Sequence, residues 1–160
     1  MANLSDLNLR YRAYMQFYRY RRLDWQPGAT PQKPISQLRI AVVTTAAFFR
    51  PEQNPFDESI RGGDYSFREI PLDTDLTTLR TAHKSDAFDH QGIEIDKNLA
   101  LPLDRLRELT AEGRIGGVAP RHFSLMGSIS APARLVKITA PEIVRRLSED
   151  RVDAVLLTPV

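Results

Sequence analysis

His83, Asp86, Asp89 and His90 form the densest group of chemically active side chains in the sequence. They stand as H-x-x-D-x-x-D-H, and Glu94 and Asp96 follow. Two imidazoles and several carboxylates are a donor set for a divalent cation. Their spacing matches no zinc motif, and Asp is an ordinary turn former. A structural hydrogen-bond network and a substrate contact are therefore competing roles, and His83 and His90 stand as candidate metal ligands only. A second group sits where apolar runs end: Thr44-Thr45, Pro120-Arg121-His122-Phe123-Ser124 and Thr158-Pro159. These are small, polar, hydrogen-bonding residues of the kind that fix a ligand's orientation. Strand ends are also polar simply because they meet water.

Other chemistries lack support. Gly62-Gly63-Asp64 could cradle an anion, but neither the Gly-x-x-x-x-Gly-Lys-Ser/Thr nor the Gly-x-Gly-x-x-Gly pattern is present, so a tight turn is the better reading. No nucleophile elbow surrounds any serine. The sequence has no cysteine, which excludes disulfides, thiolate metal sites and thiol catalysis by these residues.

The elements that must position these residues follow from periodicity. Leu38 to Thr45 is a continuous apolar run rich in β-branched residues, the pattern of a central parallel strand buried on both faces. Ser66 to Ile70 is a short strand candidate. Leu103 to Glu112 reads as a helix stopped by Gly113, with Leu103, Leu106, Leu109 and Thr110 on its inner face. Ile115 to Ala119 reads as a second strand. Thr139-Ala140-Pro141-Glu142 has the form of a capping box opening a helix to Glu149, with Ile143, Val144 and Leu147 facing the sheet. Val152 to Thr158 is the last strand. Strand, long excursion, helix, strand, helix, strand is an α/β order, and right-handed crossovers make the three strands parallel. Ligands of such sheets gather beyond the carboxyl ends of the strands.

The predicted fold is therefore α/β: an open, mostly parallel sheet with flanking helices, a long irregular insertion over 46–100 and an N-terminal amphipathic helix. That helix spans Leu4 to Leu23, capped by Ser5 or Asn3, with Leu4, Leu7, Tyr11, Tyr14, Met15 and Tyr18 on one stripe. It suits docking on this chain or a partner. Residues 1–35 form the helix and a Pro-rich linker, and 36–160 the α/β domain. At 160 residues the chain is long enough to bury a real core. The net charge of +2 is small for a nucleic-acid binder, no apolar run is long enough to span a bilayer, and no secretory signal core opens the chain. The expectation is a cytoplasmic protein with neither nucleic acid nor membrane as partner.

Several segments in order, RIAVVTTAAFF, GGDYSFREIPLDT, AHKSDAFDH, LPLDRLRELTAEGRIGGVAPRHFSLMG and APEIVRRLSEDRVDAVLLTPV, resemble the glycine/sarcosine/betaine reductase selenoprotein B family, which includes the D-proline reductase subunit. The resemblance covers roughly residues 36 to 160 and is strongest over Gly63 to Thr74 and Leu101 to Gly127. It implies a subunit of an amino-acid or betaine reductase that cleaves a C–N bond reductively. It also implies a selenocysteine or cysteine directly after the strand ending here in Thr158-Pro159-Val160, and a pyruvoyl group on a partner subunit. The expectation is that this chain is a reading frame closed at a selenocysteine codon, or cut there, and inactive alone. Within that reading Thr44, Thr45, Ser124 and Thr158 contact substrate, Arg68 and Arg121 are candidates for its carboxylate, and His122 is a candidate proton donor. The alternatives are a non-catalytic assembly subunit of the same fold, self-associating or bound to other reductase subunits, and a small-ligand-binding domain.

Overall fold

The structure is a computed structural model that describes residues 8–17, 28–83, 85 and 90–160. It divides into two units, Met1–Thr30 and Pro31–Val160. In the first, α1 (Leu9–Phe17) is capped by the Asn8 carboxamide, which accepts from the Tyr11 amide at 3.0 Å. None of the residues of α1 is buried. Leu4, Leu7, Tyr18 and the expected caps Asn3 and Ser5 lie outside the described residues.

The second unit is α/β. Its elements are β1 (Arg39–Thr44), β2 (Phe48–Phe49), β3 (Phe67–Pro71), β4 (Arg80–Thr81), α2 (His90–Ile95), α3 (Leu103–Ala111), β5 (Gly117–Val118), β6 (Arg121–Leu125), α4 (Ala140–Glu149) and β7 (Ala154–Thr158). β1 is central, as its unbroken apolar run predicts. β5 pairs with its first half (Arg39↔Gly117) and β6 with its second (Thr44↔Ser124), both parallel. β7 runs parallel along the other side from Ile40↔Ala154 to Thr44↔Thr158, and β3 closes the far edge antiparallel to β6.

The core has two layers because β1 alternates its side chains. Val42 packs with Ile70, Leu101, Leu103, Leu106 and Ile115 beneath α3. Ala41 packs on the opposite face with Phe123, Ile143 and Leu147 beneath α4. Phe48, Phe49 and Phe56, from the irregular excursion, are buried as well. Part of that excursion is an antiparallel ribbon of β2 and β4, which the sequence reading missed.

Two expectations are corrected and a third is narrowed. The second strand does not end at Ala119. It breaks at Ala119-Pro120 and resumes as β6, so Arg121, His122, Phe123 and Ser124 lie inside the sheet. The break has a visible cause: the Pro120 carbonyl turns away from β1 to accept from Leu72 N at 2.9 Å. The Val42 amide instead donates to His122 Nδ1 at 3.0 Å. The capping box also fails. The chain is already helical before Thr139, through a π-helical stretch Leu135–Thr139, and the Thr139 hydroxyl donates to Tyr65 O. Glu142 turns to Arg145 and Arg146 rather than back to a cap amide. Finally, Val144 faces the β7 edge of the sheet but is not buried in the core. It is exposed and lines an apolar groove with Leu157 and Val155 at the β7 edge.

Candidate functional site at the strand tips

Register builds the site. Across the sheet, Arg68 lies opposite Ser124, Ser124 opposite Thr44, and Thr44 opposite Thr158. Cross-strand partners share a face, so these residues form one polar row at the carboxyl ends of β6, β1 and β7. Thr44 is fully buried; its Oγ1 donates to Thr158 O at 3.4 Å and accepts from Ala46 N at 3.2 Å. Thr158 Oγ1 donates to Ala100 O at 2.7 Å. Ser124 Oγ is buried and has no hydrogen-bond partner among the described residues.

One residue further out, Thr45 ties the strand tips together. Its amide donates to Thr158 O at 3.2 Å, and its Oγ1 accepts from Val160 N at 2.9 Å and donates to Val160 O at 3.3 Å. Gly127, just past β6, completes this corner. A Cβ placed there would stand 2.8 Å from His83 Nε2 and 3.1 Å from both Thr45 O and Thr45 Oγ1. Glycine at 127 therefore leaves room for both the His83 ring and Thr45 at this corner. His83 Nδ1 accepts from Ser85 N at 3.2 Å, which leaves the proton of the neutral ring on Nε2. Burial lowers the His83 pKa, the adjacent His90 lowers it further, and Glu58 opposes both. The two imidazole rings are 6.3 Å apart. Among the described residues no three His, Asp or Glu side chains are placed to hold a metal ion. Asp86 and Asp89 lie outside the described residues.

The structure thus brings Thr44, Thr45, Ser124 and Thr158 together and places His83 beside them. Sequence reasoning missed Gly127, although a glycine directly after a strand is a signal for close approach. The remaining candidates have other surroundings. Arg121 opens β6, at the opposite end of the sheet. Its Nε and Nη2 grip Asp150 at 2.7 and 2.8 Å, and Nη2 reaches Arg146 O at 3.1 Å, so it closes the carboxyl end of α4. The hydrogen bonds it donates to Asp150, and then to Glu149, raise its pKa further. His122 is fully buried mid-sheet. Burial, and then the Arg107 charge, push its pKa down to about 4 against Asp150 and the Ala119 carbonyl. Neither residue stands at a strand tip.

Arg68 lies in the polar row but its donors are engaged. Nε donates to Asn54 O at 2.7 Å, Nη2 to Pro55 O at 2.9 Å, and Nη1 to Ser66 Oγ and Phe67 O at 2.8 and 3.0 Å. Its guanidinium also stacks 4.2 Å from the Phe56 ring centroid. Asp64 supports the same loop, accepting from Ser66 N, Ser66 Oγ and Asp57 N at 2.8, 2.6 and 2.9 Å. Burial would raise its pKa, but these hydrogen bonds and the Arg68 charge hold it below the usual carboxylate value.

Buried hydroxyls at the carboxyl tips of a parallel sheet, flanked by a histidine, define an α/β protein with a small polar site at its strand ends. Residues 7–160 match the family described as glycine/sarcosine/betaine reductase selenoprotein B, and the chain belongs to that family. It is 34% identical over 134 residues to the D-proline reductase subunit gamma of Acetoanaerobium sticklandii, covering 84% of this chain and 52% of that protein. It is 32% identical over 133 residues to the betaine reductase complex component B subunit beta of Peptoclostridium acidaminophilum, covering 81% and 30%. It is 33% identical over 138 residues to the glycine reductase complex component B subunit gamma of Symbiobacterium thermophilum, covering 84% and 31%. The matched region thus spans about half to under a third of these relatives. No solved structure matches the chain.

Proposed function

We propose that this chain forms the α/β body of a reductase subunit that binds a small amino acid or N-methylated derivative at the tips of β6, β1 and β7. There the substrate meets a thiol or selenol nucleophile for reductive C–N cleavage. The observation that carries the reading is the corner where Thr45 holds both Thr158 and Val160, in a chain of this family. The resemblance puts the nucleophile directly after that point, and the 160 residues contain no cysteine of their own. In this reading Thr44 and Thr158 fix the strand ends, Ser124 offers a free hydroxyl, and His83 supplies an N–H beside them. The pyruvoyl group belongs to a partner subunit, and no residue of this chain is assigned to it.

The test is assembly followed by turnover. The chain, together with the sequence that follows the Val160 codon, is co-expressed with the other subunits of a reductase complex of this family. The purified complex is then assayed with a dithiol reductant on glycine, sarcosine, betaine and D-proline. Cleavage of one of them supports the reading, and an assembled complex inert to all four refutes it.

The groove at the β7 edge favours a second reading, an assembly subunit without catalytic residues. Its roughly 280 Å³ is walled only by apolar side chains, among them Val43, Leu135, Val144, Val155 and Leu157. Exposed apolar surface of this kind marks an interaction site. If Leu157→Arg abolishes complex formation while Thr45→Val leaves turnover intact, the assembly role is the correct one.

A further inference from the structure

We propose that the groove beside the Gly62-Gly63 turn is a carboxylate-binding subsite, with Arg61 and Arg134 as the side chains that hold the anion. The assignment rests on the strand tips being the substrate end of the molecule, and it names the group of the substrate that is recognised there.

The groove lies at that end. The segment 127–131 follows the carboxyl end of β6, and β3 begins beside it because it runs antiparallel to β6. Tyr65, two residues before β3, forms one wall; Gly62, Gly63 and Ala131 form the others. The turn is locked onto the loop by the Ala131 amide, which donates to Gly62 O at 3.1 Å. Both glycines have left-handed backbones, φ +94° and +97°. A Cβ on Gly63 would stand 2.6 Å from Ser128 O, and one on Gly62 2.7 Å from Ala131 Cβ. Only glycine at both positions lets the turn close and shape the groove.

Its charge is unbalanced. Arg61 and Arg134 both line it, and no carboxylate does. Among the described residues neither guanidinium has an ion-pair partner, whereas Arg68, Arg121, Arg145 and Arg146 are all paired. The Arg134 guanidinium lies 5.4 Å from the Tyr65 ring centroid, which orients its fork. The continuous helical stretch that leads into α4 starts at Ala133, and Ala133 and Arg134 both line the groove. Two guanidinium forks on one groove, neither in an ion pair among the described residues, suit a carboxylate held by paired N–H bonds.

The volume sets the size of the ligand. About 280 Å³ is at the small end for ligand pockets, enough for a small amino acid and too little for a nucleotide. Glycine, sarcosine, betaine and D-proline, the substrates in the relatives' names, differ at nitrogen and share a carboxylate. A subunit serving such ligands needs an anchor for the part that does not vary.

The experiment is direct binding by calorimetry and ligand-observed NMR, with glycine and betaine as probes and glycinamide, which keeps the amine but lacks the carboxylate, as the control. Wild type binds the two carboxylates and not the amide. Arg61→Gln and Arg134→Gln each weaken binding about tenfold, in line with loss of charge-assisted hydrogen bonds, and the double variant abolishes it. Arg134→Lys, which keeps the charge but not the fork, falls between. Because both arginines are exposed, the variants keep the wild-type melting temperature. Absence of binding to wild type, equal binding of glycinamide, or unchanged affinity in both glutamine variants overturns the assignment. Variants that lose association with partner subunits while still binding glycine also overturn it, since the anion is then an acidic side chain of the partner. Arginine-dependent binding in a complex that cleaves no C–N bond sinks the reductase reading alone. Turnover with KM unchanged in both variants sinks this assignment alone.

Discussion

Replacing His122 with asparagine should remove a pH-dependent part of the stability of this fold. His122 is fully buried, its Nδ1 accepts from the Val42 amide at 3.0 Å, and its pKa is pushed down to about 4 by burial and by Arg107. In the unfolded chain it titrates near its ordinary value of about 6.5. The native state therefore excludes a proton that the unfolded state takes up. The stabilisation is fully present above about pH 6.5, declines as pH falls, and levels off below the folded pKa. A gap of about 2.5 units is worth about 3 kcal/mol, of which about 2 kcal/mol is lost between about pH 7 and about pH 4.5. Asparagine still offers the Val42 amide an acceptor but does not titrate. Urea unfolding of both proteins across this range gives the measurement. Carboxylates and His83 are common to both and cancel in the difference. At neutral pH the variant should be less stable by about 1–2 kcal/mol, because the smaller side chain leaves a void. On acidification the gap should close by about 2 kcal/mol. Two stability curves that stay parallel from neutral pH to about pH 4.5 would refute the argument that His122 is held neutral inside the sheet.

Three further outcomes are expected. Gly116→Ala places a Cβ 2.3 Å from Gln37 C and 2.6 Å from Gln37 O, a backbone clash that no rotamer relieves; thermal melting should show a loss of more than about 3 kcal/mol, and a wild-type melt would contradict the approach. Gly127→Ala drives His83 and Thr45 apart, so it should cost about 1–2 kcal/mol and weaken turnover of the assembled complex, while unaltered kinetics would remove this corner from the site. Arg68→Ala frees Asn54 O, Pro55 O and Phe67 O, so limited proteolysis should cut within residues 54–66 faster than in wild type; an unchanged cleavage pattern would count against its bracing role.

The parts of the fold visible in the sequence are those whose stability is local or uniform. β1 announces itself because a strand covered on both faces must be apolar throughout, and β7 through its apolar run Val155-Leu156-Leu157, although those three side chains stay exposed. α3 is legible from Leu103, Leu106 and Gly113. β6 was not, because the segment opens with two adjacent polar side chains, Arg121 and His122, whose partners are distant in sequence: Asp150 and Val42. Pro120 reads as a strand end, yet the sheet continues past it since a histidine ring replaces the missing backbone acceptor. The same misreading moved Arg121 and His122 to a strand tip. The Thr139 cap failed for a related reason, as a helix that begins earlier leaves the hydroxyl free for Tyr65 O. Of the tip residues, Thr44, Thr45 and Thr158 were legible because they end strands that were themselves legible. Ser124 was found by its proximity to Ala119, although it stands at the tip of a strand that the sequence did not reveal.

The arginines show how chemistry and architecture divide in this protein. Arginine supplies most of the 22 basic residues, and the sequence alone offers no way to sort them. The structure sorts them by whether a carboxylate or carbonyl lies within reach. Arg121 and Arg146 cross-link α4 to β3 through Glu69, at 3.8 and 2.7 Å, and Arg68 fastens the loop before β3. Each of these has left water for a fixed partner, and removing it would leave that partner unpaired, which is a structural consequence. Arg61 and Arg134 are exposed and hold no ion pair among the described residues, so an arriving anion displaces no carboxylate to reach them. Recognition therefore falls to two arginines that line one groove and hold no ion pair among the described residues. For that reason a substitution there should change what the protein binds while leaving its melting temperature alone.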